Sequence, residues 1–481
     1  MNSKRTIILL ASLSALLSSC TGSSNARLEA PTFEKASSPM HFTAYACPTV
    51  ENWSGTSNNV NCATEEHYRK LAEAGFTKAL ALYEGAPGGA RTTAEHVRKS
   101  HAAAEQDAMK ILEQAEKFGI KYYVRDWSFY GLVKNYSDIT TKEQYEEIIR
   151  SMLHEDNPYI NSPSFLGNYG HDEPNYDELA KIKDQVEIYN RVMKELGKEG
   201  AECVINLNPS YVSGAGLNYH TYSEYVDYYF ENIAPLVGYG SFDFYPFLFD
   251  YVDGSYMRQM YLYNIELFAR KCKEGGYELR SYIQDKGDFT GTRDMCGIGD
   301  FRFQIYTLMA FGARDITYYT YSGEESESEG GFALMNFMDG TYNWTYDLAK
   351  KVNNEVHAFE DAYLSYKWDG VMYKNANILI DNQNFANLVD PLESHDRVSF
   401  GDVSEDTLLT SFKNDEGDDA FMLVNFTDPF FKKNDTVTLK FNNARGLLMY
   451  RMGQKMVVPL NNGEYTFKLY PGEGRFIIPI K

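Results

Sequence analysis

The chain has 481 residues, more than one ordinary domain uses, which predicts a large domain joined to a smaller one. Its 46 basic and 67 acidic residues give a net charge of −21, which argues against nucleic acid and against an acidic membrane surface as partners. Aromatic residues make up 15% of the chain, and the 38 tyrosines suit surfaces that stack on neutral, hydroxylated ligands.

The N-terminal residues have the layout of a secretory signal. A basic start precedes an apolar stretch, Ile7 to Leu17, which is too short to span a bilayer. The letters LSSC at 17–20 resemble the lipobox of bacterial lipoproteins, which implies a signal peptide at 1–19 and a lipid on the thiol of Cys20. Residues 20–40 are small and polar, as in a flexible tether. We therefore expect an exported bacterial lipoprotein that is periplasmic or on the cell surface. We expect the outer membrane to hold it, and only through its lipid.

The remaining cysteines and the histidines do not predict a metal site. Export permits disulfides, and Cys47 with Cys62 would close a short loop, but five cysteines after Cys20 leave at least one thiol free. No CxxC motif occurs and the nine histidines are scattered, so we expect neither a metal nor a cofactor. Nothing in the sequence indicates an oligomeric state.

From residue 41, short β-rich runs alternate with segments of helical periodicity. The predicted strands cover 41–48, 77–85, 121–128, 165–174, 202–209, 240–247, 280–287 and 315–323. The predicted helices cover 64–74, 94–118, 176–197, 222–233, 256–275 and 301–312. This alternation is typical of a TIM (β/α)8 barrel, here 41–365. The competing fold, a doubly wound open sheet, usually carries a Gly-rich phosphate loop after its first strand, and Ala46-Cys47-Pro48 is not one.

The last part of the chain has a different pattern. From about residue 366 the runs are short, alternate between apolar and polar residues, and are separated by Asp, Asn and Gly turns. They predict a small all-β sandwich, 366–481, with a structural or carbohydrate-binding role. The acidic turn at 414–419 is more typical of a solvated hairpin than of a calcium site.

Candidate functional residues are those at the C-terminal ends of the barrel strands, where barrels carry their active sites. They are carboxylic acids, amides, a histidine and aromatic residues: Tyr45, Asp126, Trp127, His171, Asp172, Glu173, Asn206, Asn208, Asp243, Tyr245, Gln284, Asp285, Tyr319 and Tyr321. A Ser-His pair is missing from the set. It suits glycoside hydrolysis, in which a protonated carboxyl assists the leaving oxygen and an ionised one attacks the sugar or activates water. Amides then bind hydroxyls and aromatic rings stack on the sugar.

Four segments carry a resemblance to a known group of proteins. GHDEP (170–174), NLNP (206–209), SFDFYPF (241–247) and the run from Phe301 to Ser322 resemble the barrel of bacterial glycosidase-like proteins, which are related to the large retaining clan with its acid/base at the end of strand four. The similarity spans about 41–350. The ending LYPGEGRFIIPI resembles the C-terminal sandwich often attached to such barrels.

The resemblance implies that Glu173 is the acid/base, with His171 and Asp172 beside it. In the clan the acid/base is commonly preceded by Asn, and here Asp172 takes that place. Two adjacent carboxyls raise each other's pKa if their side chains converge, which would favour a protonated Glu173.

Two residues are candidates for the second carboxylate. The clan's nucleophile is a glutamate at the end of strand seven, where this chain has Gln284 followed by Asp285. An amide cannot act as the nucleophile. Either Asp285 or Asp243 is then the partner, Asp243 by activating water in an inverting reaction.

These observations predict a lipid-anchored glycoside hydrolase acting on an oligo- or polysaccharide. The alternative, motivated by Gln284, is a non-catalytic barrel that binds glycans. A polysaccharide lyase is disfavoured, because the charge of −21 and the lack of clustered Arg and Lys at the strand ends argue against acidic substrates.

Overall fold

The computed structural model describes residues 28–51, 59–80, 94–130, 132, 141–247, 255–287, 293–323, 332–374 and 392–481. The side chains of 94–100, 103, 127, 128 and 255–259 are outside this description. The predicted signal peptide, Cys20 and most of the acidic loop at 323–332 lie outside the described residues.

Eight parallel strands form the central sheet. They are β1 His41–Tyr45, β2 Lys78–Leu80, β3 Lys121–Val124, β4 Phe165–Asp172, β5 Glu202–Asn206, β6 Tyr239–Asp243, β7 Glu278–Gln284 and β8 Ala313–Tyr319. Their order is β5-β4-β3-β2-β1-β8-β7-β6. A parallel bridge between Leu207 and Phe242, with the Leu207 N–H donating to Ser241 O at 3.0 Å, joins the two ends. The predicted barrel is therefore confirmed, and the open-sheet alternative is wrong.

Helices surround the barrel. They are α1 Glu65–Glu73, α2 Ala94–Lys117, α3 Trp127–Tyr130, α4 Lys142–Met152, α5 Glu178–Glu195, α6 Tyr222–Asn232, α7 Ala234–Val237, α8 Ser255–Gly275, α9 Ile298–Ala310, α10 Trp344–His357 and α11 Glu360–Leu364. All six predicted helices are present. The longest ones that the sequence patterns missed are α4 and α10. The signal for α4 was there: Thr141 and Gln144 form a capping box, and apolar residues follow at helical spacing.

The pairing of β4 shifts register once against β3 and once against β5, and the second shift sets the direction of its last side chains. The pairing shifts register between Tyr169 and His171 on β4, opposite Val204 and Ile205 on β5. The extra residue is Gly170, where an added Cβ would lie 2.5 Å from Cys203 Sγ, so only glycine fits against β5. As a result Tyr169 and the strand's last residue both face the barrel interior.

The lower part of the barrel interior is filled by charged pairs. Lys78 Nζ lies 2.7 Å from Asp315 Oδ2, and Arg280 lies 2.5 Å from Glu202. Burial raises the pKa of Asp315, but the charges of Lys78 and Arg280 outweigh it and lower that pKa to about 2. These pairs fill the barrel at the end opposite to the candidate residues.

The C-terminal region is all β. Its strands are β11 Lys367–Lys374, β12 Val398–Val403, β13 Thr407–Lys413, β14 Asp419–Asn425, β15 Asp435–Phe441, β16 Gly446–Arg451, β17 Gln454–Pro459, β18 Glu464–Leu469 and β19 Gly474–Ile480, preceded by the two-residue strands β9 Ser322–Gly323 and β10 Met335–Asn336. They form a six-stranded sheet, β11-β13-β14-β19-β16-β17, and a three-stranded sheet, β12-β15-β18. Helix α9 packs on the larger sheet, with the rings of Phe303 and Phe426 5.0 Å apart. The prediction of an all-β C-terminal domain is therefore confirmed.

None of the helices in the described residues is long and apolar enough to cross a membrane. Within the same ranges, no three His, Cys, Asp or Glu side chains are grouped as metal ligands. Cys47 and Cys62 are both buried and are not joined by a disulfide.

Candidate active site

Carboxyl groups from β4 and β6 meet at the carboxyl end of the barrel. Asp172 ends β4, Asp243 ends β6, and Asn206 ends β5 between them. The Asn206 Nδ2 group donates to Asp172 Oδ1 at 3.3 Å and to Asp243 Oδ1 at 2.9 Å. Ser241 Oγ donates to Asn206 Oδ1 at 2.8 Å, which fixes the orientation of the amide. One amide therefore holds two carboxyl groups of the predicted set.

Asp243 is the carboxyl whose protonation is most strongly affected. Its exposed fraction is 4%. Burial raises its pKa well above the usual value, the negative charges of Glu173 and Asp172 raise it further, and the hydrogen bond from Asn206 opposes them. Asp243 thus keeps its proton to a higher pH than an isolated aspartic acid, as a general acid requires.

Glu173 follows β4 in an unusual backbone conformation. Its φ is 47°, in the left-handed region that non-glycine residues rarely adopt. The Glu173 N–H donates to Asn206 O at 3.0 Å, and Asn208 Nδ2 donates to Pro174 O at 2.8 Å, so the end of β5 and the loop after it hold both sides of the turn. Glu173 is exposed, whereas Asp243 is buried. The turn therefore brings a carboxyl to the surface beside a buried one.

Asp172 is held by groups from the barrel interior. Tyr169 OH donates to Asp172 Oδ1 at 2.9 Å, and Arg125 lies 3.6 Å from Asp172 Oδ2. The buried Arg125 guanidinium also lies over the rings of Tyr130, at 4.6 Å, and Tyr169, at 4.7 Å. Tyr169 and Tyr282 hydroxyls are 3.0 Å apart. A fixed positive charge and a tyrosine pair thus form the floor below the carboxyl groups.

Tyrosine rings form a wall beside the same groups. Tyr245 and Tyr319 stack with centroids 5.3 Å apart, and Tyr45 lies 5.4 Å from Tyr319. Tyr245 and Tyr319 are half-buried, so part of each ring is open to solvent. Burial raises the pKa of Tyr245 well above its usual value, and the charges of Asp243 and Glu173 raise it further, so the wall lies within electrostatic range of both carboxyls. Such rings can stack on the apolar face of a sugar.

The residues at the end of strand seven are placed differently. Gln284 donates from Nε2 to Arg293 O at 2.7 Å and accepts at Oε1 from the Phe247 N–H at 3.4 Å. Its amide therefore connects two loops at the carboxyl end of the barrel.

Asp285 is completely buried, and its Oδ1 accepts from the Thr320 N–H at 2.7 Å. Its charge acts on Tyr318, whose ring packs 5.9 Å from Phe301 of α9. Burial raises the pKa of Asp285, and Oδ2 has no hydrogen-bond partner in the described part of the chain. Asp285 is therefore bonded to the chain at the end of β8, whereas Asp243 is bonded to Asn206 together with Asp172.

The other predicted residues form the surroundings. His171 is fully buried, with Nδ1 3.1 Å from Asp172 O. Asp126 is fully buried and bonded to His101 of α2, away from the carboxyl cluster. Tyr321 is fully buried against Phe76. The side chain of the predicted Trp127 lies outside the described residues.

Arg125, Tyr169 and Tyr282 are part of the site but were not predicted. Arg125 is the residue directly after β3, at the strand end where functional side chains were sought, so its position was an available signal. Tyr169 could not be assigned from the alternation of side chains, because the bulge at Gly170 changes which residues face inward.

Neither a family model nor a curated protein matches this sequence. Solved structures match it. A catalytic mutant of the GH42 beta-galactosidase Gan42B from G. stearothermophilus has a TM-score of 0.51 at 8% identity, over 92% of this chain and 98% of that chain. This chain shares the fold of that glycoside hydrolase. An alpha-amylase from Anoxybacillus (TM-score 0.48, 12% identity, 92% and 98% covered) and a GH30 endoxylanase from Clostridium papyrosolvens (TM-score 0.44, 11% identity, 92% and 96% covered) are also similar.

Proposed function

We propose that the protein is a glycoside hydrolase whose carboxyl pair is Asp243 and Glu173. The observation that carries the proposal is geometric: Asp243 is buried at the end of β6 and shares the Asn206 amide with Asp172, which ends β4 directly before the exposed Glu173. Burial and the charges of Glu173 and Asp172 raise the pKa of Asp243. A protonated carboxyl close to ionised ones is the requirement of glycosidic cleavage. The glycosidase fold of the chain is consistent with it.

In the proposed reaction, the Asp243 proton passes to the glycosidic oxygen as the bond from that oxygen to the anomeric carbon breaks. Glu173 either attacks the anomeric carbon and is later displaced by water, whose proton returns to Asp243, or removes a proton from the water that attacks directly and later gives it up to solvent while Asp243 is reprotonated. In both cases one water is consumed and its hydroxyl remains on the anomeric carbon. Asn206 positions Asp243, and Tyr245 with Tyr319 stacks on the sugar ring.

The proposed substrate is a neutral oligo- or polysaccharide. Arg125 is buried and engaged by Asp172 and the tyrosine rings, so it is not available to a substrate carboxylate. The net charge of −21 repels polyanions at long range. A neutral glycan needs no free arginine and is not repelled by the negative net charge.

The test is hydrolysis of a panel of aryl glycosides and neutral polysaccharides, with reducing ends as the measured product. We expect Asp243→Asn and Glu173→Gln each to lower kcat by about 100-fold or more, because each removes a proton-transfer or nucleophilic group with little change of shape. Asp285→Asn is the matched control, and we expect its kcat to stay within about threefold of wild type. Full activity in the Asp243 variant would refute the assignment.

A non-catalytic glycan-binding protein is the second candidate. It is favoured by Gln284, an amide at the end of β7 whose side chain is already bonded to the backbone of Phe247 and Arg293. Glycan binding by calorimetry, with no reducing ends released from any substrate of the panel, would select this function instead.

We also propose that the protein is an exported lipoprotein anchored through Cys20. The supporting observation is the LSSC sequence after a short apolar stretch. Labelling of cells with radioactive palmitate should mark the wild-type protein and not Cys20→Ser. Equal labelling of both would contradict the anchor, and fractionation of the two membranes would locate it.

A further inference from the structure

Three aromatic side chains are exposed together on the β domain. Phe430, Phe431 and Tyr470 have exposed fractions of 54%, 39% and 49%. Phe430 and Phe431 lie in the 3-10 turn Pro429–Phe431, with ring centroids 5.6 Å apart and ring planes at 85°. Tyr470 directly follows β18 and lines one cavity with Pro429 and Lys432, the two residues that flank the phenylalanines. We call these three residues the aromatic platform.

The aromatic platform lies on the catalytic side of the barrel. A Cβ built on Gly299, in the first turn of α9, would lie 3.1 Å from Pro429 Cβ and 3.2 Å from Pro471 O. Helix α9 follows β7, so its first turn lies at the end of the barrel where the strands terminate. The turns that carry Phe430 and Tyr470 are therefore level with the candidate active site.

A single arginine connects the aromatic platform to the site. The Arg293 guanidinium bonds to Asp300 at 2.9 Å and to Asp428 at 3.4 Å, and it lies 5.6 Å from the Phe430 ring. The Arg293 backbone oxygen accepts from Gln284 Nε2 at 2.7 Å. The contacts of Arg293 thus connect the platform to the end of β7.

Polar groups adjoin the rings. A cavity of about 280 Å³ lies beside them, lined in part by Tyr470, Lys432, Cys296 and Asp300. Three rings are too few for the roughly 800 Å² per partner that a stable protein interface buries. Individual exposed rings with hydrogen-bonding groups beside them are instead suited to stacking on sugar rings.

We propose that the aromatic platform is a second glycan-binding surface, which holds a neutral polysaccharide chain beside the active site. The occupant follows from three observations: the rings are exposed, they lie level with the carboxyl groups of Asp243 and Glu173, and the chain's charge of −21 disfavours anionic polymers. The proposal rests on the proposed glycan substrate but does not need hydrolysis to occur.

The test is affinity electrophoresis of the full chain in gels containing xylan, galactan, galactomannan or starch. Asp243→Asn is used as the background so that the polymer is not digested. We expect at least one polymer to retard migration, and we expect the triple variant Phe430→Ala, Phe431→Ala, Tyr470→Ala to need at least ten times more polymer for equal retardation. Val457→Ala, an exposed apolar residue on β17, is the matched control and should migrate like its parent.

Further variants separate ring stacking from misfolding. Phe430→Tyr with Tyr470→Phe keeps the flat faces and should keep the retardation. Retardation by none of the four polymers, or an unchanged triple variant, would overturn the proposal.

Hydrolysis of a short aryl glycoside should be unchanged by the triple substitution in the chain that retains Asp243. Platform binding without any hydrolysis would refute the proposed function alone, so the two failures are distinguishable.

Discussion

The amide of Asn206 should set the pH at which the proposed acid loses its proton. Asn206 donates to Asp243 at 2.9 Å and opposes the rise of the Asp243 pKa that burial and the neighbouring charges cause. A hydrogen bond to a charged group contributes about 1.5–3 kcal/mol. Since 1.36 kcal/mol corresponds to one pKa unit, Asn206→Ala should raise the Asp243 pKa by about 1–2 units.

The assay is the pH dependence of kcat/KM on an aryl glycoside, whose basic limb reports the acid of the free enzyme. We expect Asn206→Ala to move the basic limb upward by about 1–2 pH units while lowering the maximum rate. Asn190→Ala, which removes an amide bonded to Leu236 O on the outer helices, should leave the limb in place. A limb that stays unchanged in Asn206→Ala, or moves down, would refute the assignment of Asp243 as the acid.

Other predictions concern stability. Lys78→Met should lower the free energy of unfolding by about 3–5 kcal/mol in denaturant titrations, because it removes the ion-pair partner of the buried Asp315 carboxylate and leaves it the hydrogen bond from Thr43; a loss below about 1 kcal/mol would contradict this. The lowered pKa of Asp315 contributes stability that is present above its unfolded pKa of about 3.9 and is lost as pH falls towards about 2, so Lys78→Met should flatten the acid limb of stability against pH. Gly170→Ala should destabilise the fold by about 1–3 kcal/mol and reduce activity, because its Cβ would meet Cys203 Sγ, whereas Gly200→Ala, with nothing within 4 Å, should be neutral by thermal melting.

The bulge at Gly170 explains why the sequence led to the right strand but to an incomplete site. The pattern predicted a strand ending near Glu173, and β4 ends at Asp172. Strict alternation from Tyr169 would direct His171 inward and Asp172 outward, but the bulge reverses this assignment. The inward group is therefore the carboxyl that contacts Asn206 and Arg125.

Strand periodicity, turn residues and the polar ends of the runs were enough to predict the barrel, the β domain and Glu173 with Asp243 among the candidates. These signals are local, so they can be read along the chain. Which carboxyl accompanies Glu173 depends on closure of β5 onto β6 through Leu207 and Phe242, a contact between distant segments. Asp243 and Asp285 have the same local signal. Only the tertiary structure places Asp243 with Asp172 on the Asn206 amide and bonds Asp285 to the backbone of Thr320, because these contacts arise from packing and not from sequence position.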